Sequence, residues 1–143
     1  MSRVALDTSV LVAAVQSWHE EHERALAAVA RALEDPPVVV PVHVLLEAYS
    51  VLTRMPKPRR LSPESAFILL DRTLRGRAEV RGLDGEAAFD LLQTFRDRDI
   101  AGGAVYDALI ATVALRAGAR TLLTLNRRHF ERVAPDGLEI TEP

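Results

Sequence analysis

The stretch Val4-Ala5-Leu6-Asp7-Thr8-Ser9-Val10-Leu11 joins two apolar runs through a short polar break. Its first three residues predict a buried strand that ends at Asp7. Asp7, Thr8 and Ser9 are residue types that cap helices, so we expect a helix to begin near Val10. A strand that passes directly into a helix is typical of folds with a parallel sheet.

The same alternation continues along the chain. Further strands are predicted at residues 38–40, 79–81, 121–125 and 138–140, and helices at about 19–33, 41–54, 62–76, 84–98, 104–117 and 127–130. Strands alternating with helices indicate the α/β class, here a three-layer α/β/α sandwich with a mostly parallel central sheet and right-handed connections. Because no repeat or linker interrupts the sequence, we expect one domain over residues 1–143.

Composition excludes several classes of function. The chain has no cysteine, which rules out disulfides, thiolate zinc sites and cysteine nucleophiles. It has neither an apolar run of about 20 residues nor a recognisable secretion signal, so we expect a cytoplasmic protein without a membrane span. A net charge of −2 is not that of a general nucleic-acid binder.

Asp107 stands out from its surroundings. It is the only charged residue between Ile100 and Leu115, within a segment that predicts a helix buried nearly all round. A buried carboxylate is costly unless it is hydrogen-bonded, paired or bound to a cation. A structural pair with a buried arginine is the alternative, but the pattern favours a functional carboxylate.

Asp7 and Glu47 have simpler explanations as well. Asp7 is placed to cap a helix, although one carboxylate oxygen can do so while the other faces a metal. Glu47 belongs to a narrow polar stripe with His43, Ser50 and Arg54, which is either a solvated stripe or the wall of a groove. Together with Asp107 these acids suggest a site for a hard cation such as Mg²⁺, which prefers oxygen ligands.

Four segments in order resemble PIN-domain ribonucleases, and specifically the VapC-type toxins of VapBC toxin–antitoxin pairs. They are Leu6-Asp7-Thr8-Ser9-Val10-Leu11, Glu47 in its helix, Gly102-Gly103-Ala104-Val105-Tyr106-Asp107-Ala108-Leu109-Ile110-Ala111, and Leu122-Leu123-Thr124-Leu125-Asn126-Arg127-Arg128-His129-Phe130. The resemblance covers the whole chain, and the Gly-Gly-to-Ala segment is its most specific part.

The resemblance implies a PIN-like sandwich that cleaves RNA with Mg²⁺ or Mn²⁺, forms a homodimer and is inhibited by a cognate VapB-type antitoxin. Asp7, Glu47 and Asp107 match the first three acids of the family. The fourth falls at Asn126, which offers an amide oxygen without charge, so one firm cation site is expected rather than two. Ser9 and Thr124 are candidates to support these groups, or they make ordinary capping and strand-end hydrogen bonds.

Basic residues near the predicted site are candidates for the RNA backbone: Arg54, Lys57, Arg59, Arg60, Arg127 and Arg128. The alternative for the first four is a solvated loop. With only seven aromatic residues the chain has little material for base stacking, so we expect RNA shape to govern any sequence preference. The apolar helices at 10–15 and 19–33 are expected to offer a groove for an antitoxin helix.

The sequence leaves three other functions to consider. One is a housekeeping or DNA-directed nuclease with the same site, and a second is a degenerate PIN domain that binds RNA or a partner without cleavage. A phosphoacceptor domain based on Asp7 is disfavoured, because the usual acidic pair before such an aspartate is missing.

Overall fold

The computed structural model describes residues 3–35 and 37–143. Its strands are β1 (Arg3–Leu6), β2 (Val38–Pro41), β3 (Ala78–Arg81), β4 (Ala119–Leu123) and β5 (Glu139–Thr141). Its helices are α1 (Thr8–Val15), α2 (His22–Glu34), α3 (Val42–Arg54), α4 (Pro63–Leu74), α5 (Gly85–Arg98), α6 (Ala104–Arg116) and α7 (Arg127–Glu131). Strands and helices alternate along most of this length, as the sequence predicts.

The strands form one sheet in the order β3-β2-β1-β4-β5, and every neighbouring pair is parallel. Val38, Val39 and Val40 in β2 have no exposed surface. Successive residues of a strand point to opposite faces, so helices must cover both sides of this sheet. The predicted three-layer α/β/α architecture is therefore confirmed.

The first two helices differ from prediction at their starts. Helix α1 begins at Thr8 rather than Val10, and its first helical hydrogen bond runs from Leu11 N–H to the Asp7 carbonyl at 3.1 Å. Helix α2 begins at His22 rather than residue 19. Residues 16–21 form a loop instead, in which the His19 ring accepts a hydrogen bond from Glu21 N–H at 3.0 Å.

Two further boundaries also differ. Pro41 is the last residue of β2 and not part of the following helix. Strand β4 begins at Ala119, two residues earlier than predicted, because Gly118 turns the chain with a positive φ of 91°. The strand ends at Leu123, so Thr124 and Leu125 lie just beyond it, at the edge where ligands bind in parallel sheets.

The order of the strands identifies the position of that edge. Strand β1 lies between β2 and β4, and the chain first builds the sheet outward on the β2 side before returning to add β4 and β5. The carboxyl ends of β1 and β4 therefore flank the point where the strand order reverses. Binding crevices of open α/β sheets lie outside this point.

Helix α6 is less buried than its sequence suggests. Ala108, Ile110 and Ala111 are buried against the core, but Tyr106 is 53 % exposed. The prediction of a helix covered nearly all round is thus wrong, because one flank of α6 faces an open apolar groove. In the ranges 3–35 and 37–143, no helix is both long and apolar enough to cross a membrane.

Candidate active site

A cleft with a volume of about 690 Å³ opens at the carboxyl ends of β1 and β4. Its lining includes Asp7, Glu47, Asp107 and Asn126, which are the four residues predicted from sequence to form the site. They come from different elements: Asp7 follows β1, Glu47 lies on α3, Asp107 lies in the first turn of α6, and Asn126 precedes α7. The fold thus brings together residues that are far apart in the sequence.

Asp7 is almost fully buried, with 4 % of its surface exposed. Its Oδ2 atom accepts two hydrogen bonds, from Ser9 Oγ and Thr124 Oγ1, each at 2.8 Å. Its side chain makes no capping hydrogen bond to α1. Asp7 is therefore the N-cap residue of α1, as predicted, but its carboxylate is held by two hydroxyl groups at the rim of the sheet instead of by the helix backbone.

The two hydroxyl groups are themselves oriented by the backbone. Ser9 Oγ accepts a hydrogen bond from Leu125 N–H at 2.9 Å, and Thr124 Oγ1 accepts one from Asn126 N–H at 2.9 Å. Each hydroxyl has a single proton to donate. Because a backbone amide occupies one acceptor position of each oxygen, that proton is directed toward Asp7.

Burial raises the pKa of Asp7 above its ordinary value of 3.8. The hydrogen bonds from Ser9 and Thr124 oppose this shift, because they stabilise the charged carboxylate. Within residues 3–35 and 37–143, no Lys or Arg side chain forms an ion pair with Asp7 or Asp107. The charge of this buried carboxylate is therefore stabilised by dipoles alone.

Asp107 is only half-buried. Its pKa is raised mainly by desolvation and further by the negative charges of Asp7 and Glu47, whereas His129 and His43 oppose the shift. The structural pair with a buried arginine, the alternative that the sequence left open, is absent from the described part of the chain. Three acids thus repel one another in one cleft, an arrangement that favours a cation.

Glu47 has a neighbour that the sequence did not identify as part of the site. His43 Nε2 lies 3.4 Å from Glu47 Oε2, although the two atoms do not form a hydrogen bond. The His43 ring stacks on Tyr106, with centroids 5.1 Å apart and planes inclined by 8°. Helix α3 and the first turn of α6 are thereby joined next to Glu47 and Asp107.

The cleft also contains a polar atom without a partner. Thr8 Oγ1 is buried beside Asp7, and no hydrogen-bonding group of residues 3–35 or 37–143 reaches it. In the same ranges, no three His, Asp or Glu side chains lie close enough together to form a ready-made ligand set. The carboxylates therefore face one space without closing around it.

The six predicted RNA-backbone residues do not share one position. Arg54 lines the cleft, whereas the other five do not. Arg59 packs over the ring of Trp18, Arg60 donates to the Met55 carbonyl at 2.8 Å, and Arg127 pairs with Glu131 at 2.6 Å. A continuous basic track beside the acids is thus not seen, and Arg54 is the best placed of the six.

Most apolar residues of α1 and α2 pack inside the domain, while Ala28 and Ala32 of α2 line a groove of about 290 Å³, so the groove expected here for a partner helix stays a prediction. Residues such as Leu11, Ala25 and Val29 are buried in the core of the domain. Open apolar grooves occur elsewhere, one among α3, α4 and β3 and another among α3, α5 and α6. Periodicity shows that a helix has an apolar face, but not which neighbour covers it.

Like His43, His129 and Trp18 lie near the acids and were not predicted to belong to the site. His129 is exposed on the short helix α7, where Phe130 is the buried residue, and it opposes the rise in the pKa of Asp107. Trp18, in the loop between α1 and α2, also lines the cleft. An isolated tryptophan in a polar loop was the available signal for it.

Comparisons with known proteins identify the family of this chain. The model of the PIN domain family matches residues 4–135. Ribonuclease VapC40 of Mycobacterium tuberculosis is 40 % identical over 128 residues, which cover 90 % of each protein. Ribonuclease VapC27 of the same organism is 38 % identical over 111 residues, or 78 % of this chain and 76 % of the relative.

A solved structure is similar over nearly the whole chain. The crystal structure of VapBC2 from Rickettsia felis bound to a DNA fragment from their promoter gives a TM-score of 0.66. It is 21 % identical and 98 % of each chain is covered, so this likeness concerns the fold alone. The resemblance drawn from the four sequence segments is confirmed, and the chain belongs to the PIN-domain family, within its VapC ribonucleases.

Proposed function

We propose that this protein is a metal-dependent endoribonuclease that acts in the cytoplasm as the toxin of a VapBC-type pair. The observation that carries the proposal is the meeting of Asp7, Glu47 and Asp107 in one cleft without an ion-pairing arginine or lysine among the described residues. The family supports it, since ribonucleases VapC40 and VapC27 are both named for that activity. The side chains that line this cleft would carry out catalysis.

The donor set suits Mg²⁺ or Mn²⁺. Carboxylate and amide oxygens are the ligands that hard cations prefer, and Mg²⁺ keeps several of its waters. An ion that keeps its waters fits carboxylates that line a cleft without closing around it. One of those waters would also be a hydrogen-bonding partner for Thr8 Oγ1. Asp7 and Asp107 would hold the ion directly, and Glu47 directly or through water. When bound, such an ion lowers the pKa of a water and offsets charge on the phosphate.

The chain itself supplies orientation and charge. Ser9 and Thr124 fix the rotamer of Asp7 and favour its ionised form, which is the form that binds a cation. Glu47, on α3, would help to orient the attacking water. Arg54, at the mouth, contacts a neighbouring phosphate of the RNA.

Asn126 limits the negative charge of the proposed metal site. Its side chain is exposed in the cleft and brings an oxygen without charge to the place of the family's fourth acid. A second cation would find fewer negative charges there than the first. We therefore propose one firm metal site, with Asn126 positioning a water.

Two protein partners complete the proposal. A cognate VapB-type antitoxin would place a cationic side chain among the unpaired carboxylates, which are acidic enough to receive it. A second copy of the chain would cover the groove among α3, α5 and α6, where Phe89, Leu92 and Tyr106 expose large apolar surfaces. Light scattering on the purified protein tests for the dimer, which a monomer at all concentrations would contradict.

Cleavage assays test the activity. Purified protein freed of antitoxin should cut RNA in the presence of Mg²⁺, and EDTA should stop it. Asp107→Asn should lower the rate by at least about a hundredfold, since it removes a charged ligand while it keeps the size of the side chain. Asp90→Asn on the exposed face of α5 is the matched control and should leave the rate unchanged.

Each outcome separates the proposal from its rivals. Cleavage that survives both EDTA and Asp107→Asn would refute the metal mechanism. RNA binding without cleavage would favour the degenerate PIN domain, for which the neutral Asn126 is the supporting feature. Faster cleavage of DNA than of RNA would favour a DNA-directed nuclease.

A further inference from the structure

We infer that Trp18 is a stacking platform for an unpaired base of the bound RNA. The inference rests on the proposed ribonuclease function and adds to it the kind of RNA that the cleft selects. It also revises the expectation that this chain has too few aromatic residues for stacking. One aromatic ring is sufficient if it lies in the cleft.

The position of Trp18 is the first argument. It belongs to the loop between α1 and α2, and it lines the same cleft as Asp7, Glu47 and Asp107. Among the residues that the structure describes, it is the only Phe, Tyr or Trp in that lining. Of its surface 37 % is exposed, whereas a tryptophan that only anchored two helices would bury more of its ring.

The orientation of the ring is the second argument. Its Nε1–H donates to Gln16 Oε1 at 2.7 Å, and Gln16 is itself buried. The indole is thereby held in one orientation before any ligand arrives. A preorganised aromatic surface loses little entropy when it binds, which is what a recognition platform needs.

The third argument is the contact that the Arg59 side chain makes with the Trp18 ring. Its guanidinium carbon lies 4.3 Å from the centroid of the Trp18 ring, so a cation from the loop after α3 covers part of the indole. Arg54 lines the cleft from the end of the same helix. Because the Arg59 guanidinium lies over the ring, a base would stack on the opposite face of the indole, and Arg54 and Arg59 supply positive charge for the phosphates of that nucleotide.

The chemistry of the platform selects unpaired RNA. Every base has a π-face, so stacking on an indole tolerates any base but requires that the base be free of its neighbours. Bases in loops, bulges and ends meet this requirement, while bases inside a double helix do not. Trp18 should therefore favour loops over paired RNA without reading their sequence.

Fluorescence gives a direct test, because Trp18 is the only tryptophan of the chain. The Asp107→Asn protein, which is expected to cut at least about a hundredfold more slowly, is titrated with a hairpin RNA that carries an unpaired loop and with a fully paired duplex of equal length. We expect the hairpin to quench the emission to saturation and the duplex to leave it nearly unchanged. Equal quenching by both RNAs, or none by either while binding occurs, would overturn the inference.

Substitution gives the second test. Trp18→Leu should weaken binding of the hairpin by about tenfold or more, raise KM with little change in kcat, and leave duplex binding unaltered. Trp18→Phe, which keeps a ring, should recover most of the affinity. Phe67→Leu, an equal change at an exposed aromatic residue outside the cleft, is the control and should bind like the parent.

The remaining outcomes are also decisive. Equal losses for hairpin and duplex together with a lower Tm would show that Trp18 only braces the loop, and would refute the platform. Normal RNA binding with loss of antitoxin binding would assign Trp18 to the partner instead. If the unmodified protein cuts no RNA, the proposed function fails; if it cuts hairpins and Trp18→Leu does so equally well, only this inference fails.

Discussion

Thr124→Val tests the hydrogen bonds that hold the buried carboxylate. Thr124 is fully buried, and valine has nearly its shape but no hydroxyl. The substitution removes the 2.8 Å donor to Asp7 Oδ2 and the 2.9 Å acceptor for Asn126 N–H. Since Asn126 is exposed, water can replace that acceptor, so the loss at Asp7 should dominate.

The expected cost follows from the charge of the acceptor. A hydrogen bond to an ionised group contributes about 1.5–3 kcal/mol, against about 0.5–1.5 kcal/mol for a neutral pair. We expect Thr124→Val to lower the free energy of unfolding by about 2–3 kcal/mol at pH 7. In an Asp7→Asn background, where the acceptor is neutral, the same change should cost about 1 kcal/mol less.

Urea unfolding of the four proteins in this double-mutant cycle, followed by circular dichroism without metal, gives the measurement. Thr124→Ser is the control: it keeps the hydroxyl and should cost only about 1 kcal/mol for the lost methyl group. The hydrogen bond favours the ionised form of Asp7, so the cost should shrink as the pH falls through the raised pKa of that residue. Equal costs for valine and serine, or no coupling to Asp7, would refute this account of the clamp.

Two further predictions concern charge. Asp7→Asn should stabilise the metal-free protein at neutral pH. Because the pKa of Asp7 is raised in the fold, the ionised carboxylate lowers the free energy of unfolding of the parent protein. This loss of stability is complete above the raised pKa and absent below the ordinary value of 3.8. Urea unfolding between pH 3 and pH 8 checks it, and an advantage that grows as the pH falls would contradict the sign. Arg54→Ala should weaken RNA binding and lower the slope of log K against log salt by about 0.7, whereas Arg77→Ala, outside the cleft, should do neither. The measurement is a titration of RNA binding against salt concentration. Equal slopes for the two variants would show that Arg54 does not contact the RNA backbone.

The fold could be predicted because its signals are local. The apolar runs before Asp7 and at 38–40 each end at a polar residue or a proline, and helical periodicity fills the intervals between strands. Errors occurred where a boundary depends on one backbone angle. The positive φ of Gly118 starts β4 two residues earlier than predicted, and the strand ends at Leu123, before Thr124; periodicity alone reveals neither.

The members of the site could be named from the sequence, but their contacts could not. Ser9 and Thr124 meet on one oxygen of Asp7 only because β1 and β4 are neighbours, and that order follows from the packing of the whole sheet. The Trp18–Arg59 contact likewise joins two loops that no local rule connects. Sequence patterns identify polar residues that need a partner, and topology decides which partner they receive.

Asp7 and Asp107 differ in burial from what their sequence patterns suggested, for a physical reason. The sequence around Asp107 is the more apolar, so its pattern suggested the more deeply buried charge, while Asp7 had an ordinary explanation as a helix cap. In the fold Asp7 is the N-cap residue of α1 and also the more deeply buried acid, whereas Asp107 is half-buried on a helix with one open flank. Burial depends on what packs against a segment from elsewhere in the chain, and the sheet covers the end of β1 more completely than any helix covers α6. In the proposed site, the buried charge of Asp7 should therefore account for the larger part of the unfavourable electrostatic energy that a bound cation offsets. Mg²⁺ should consequently stabilise the unmodified protein against urea more than it stabilises Asp7→Asn.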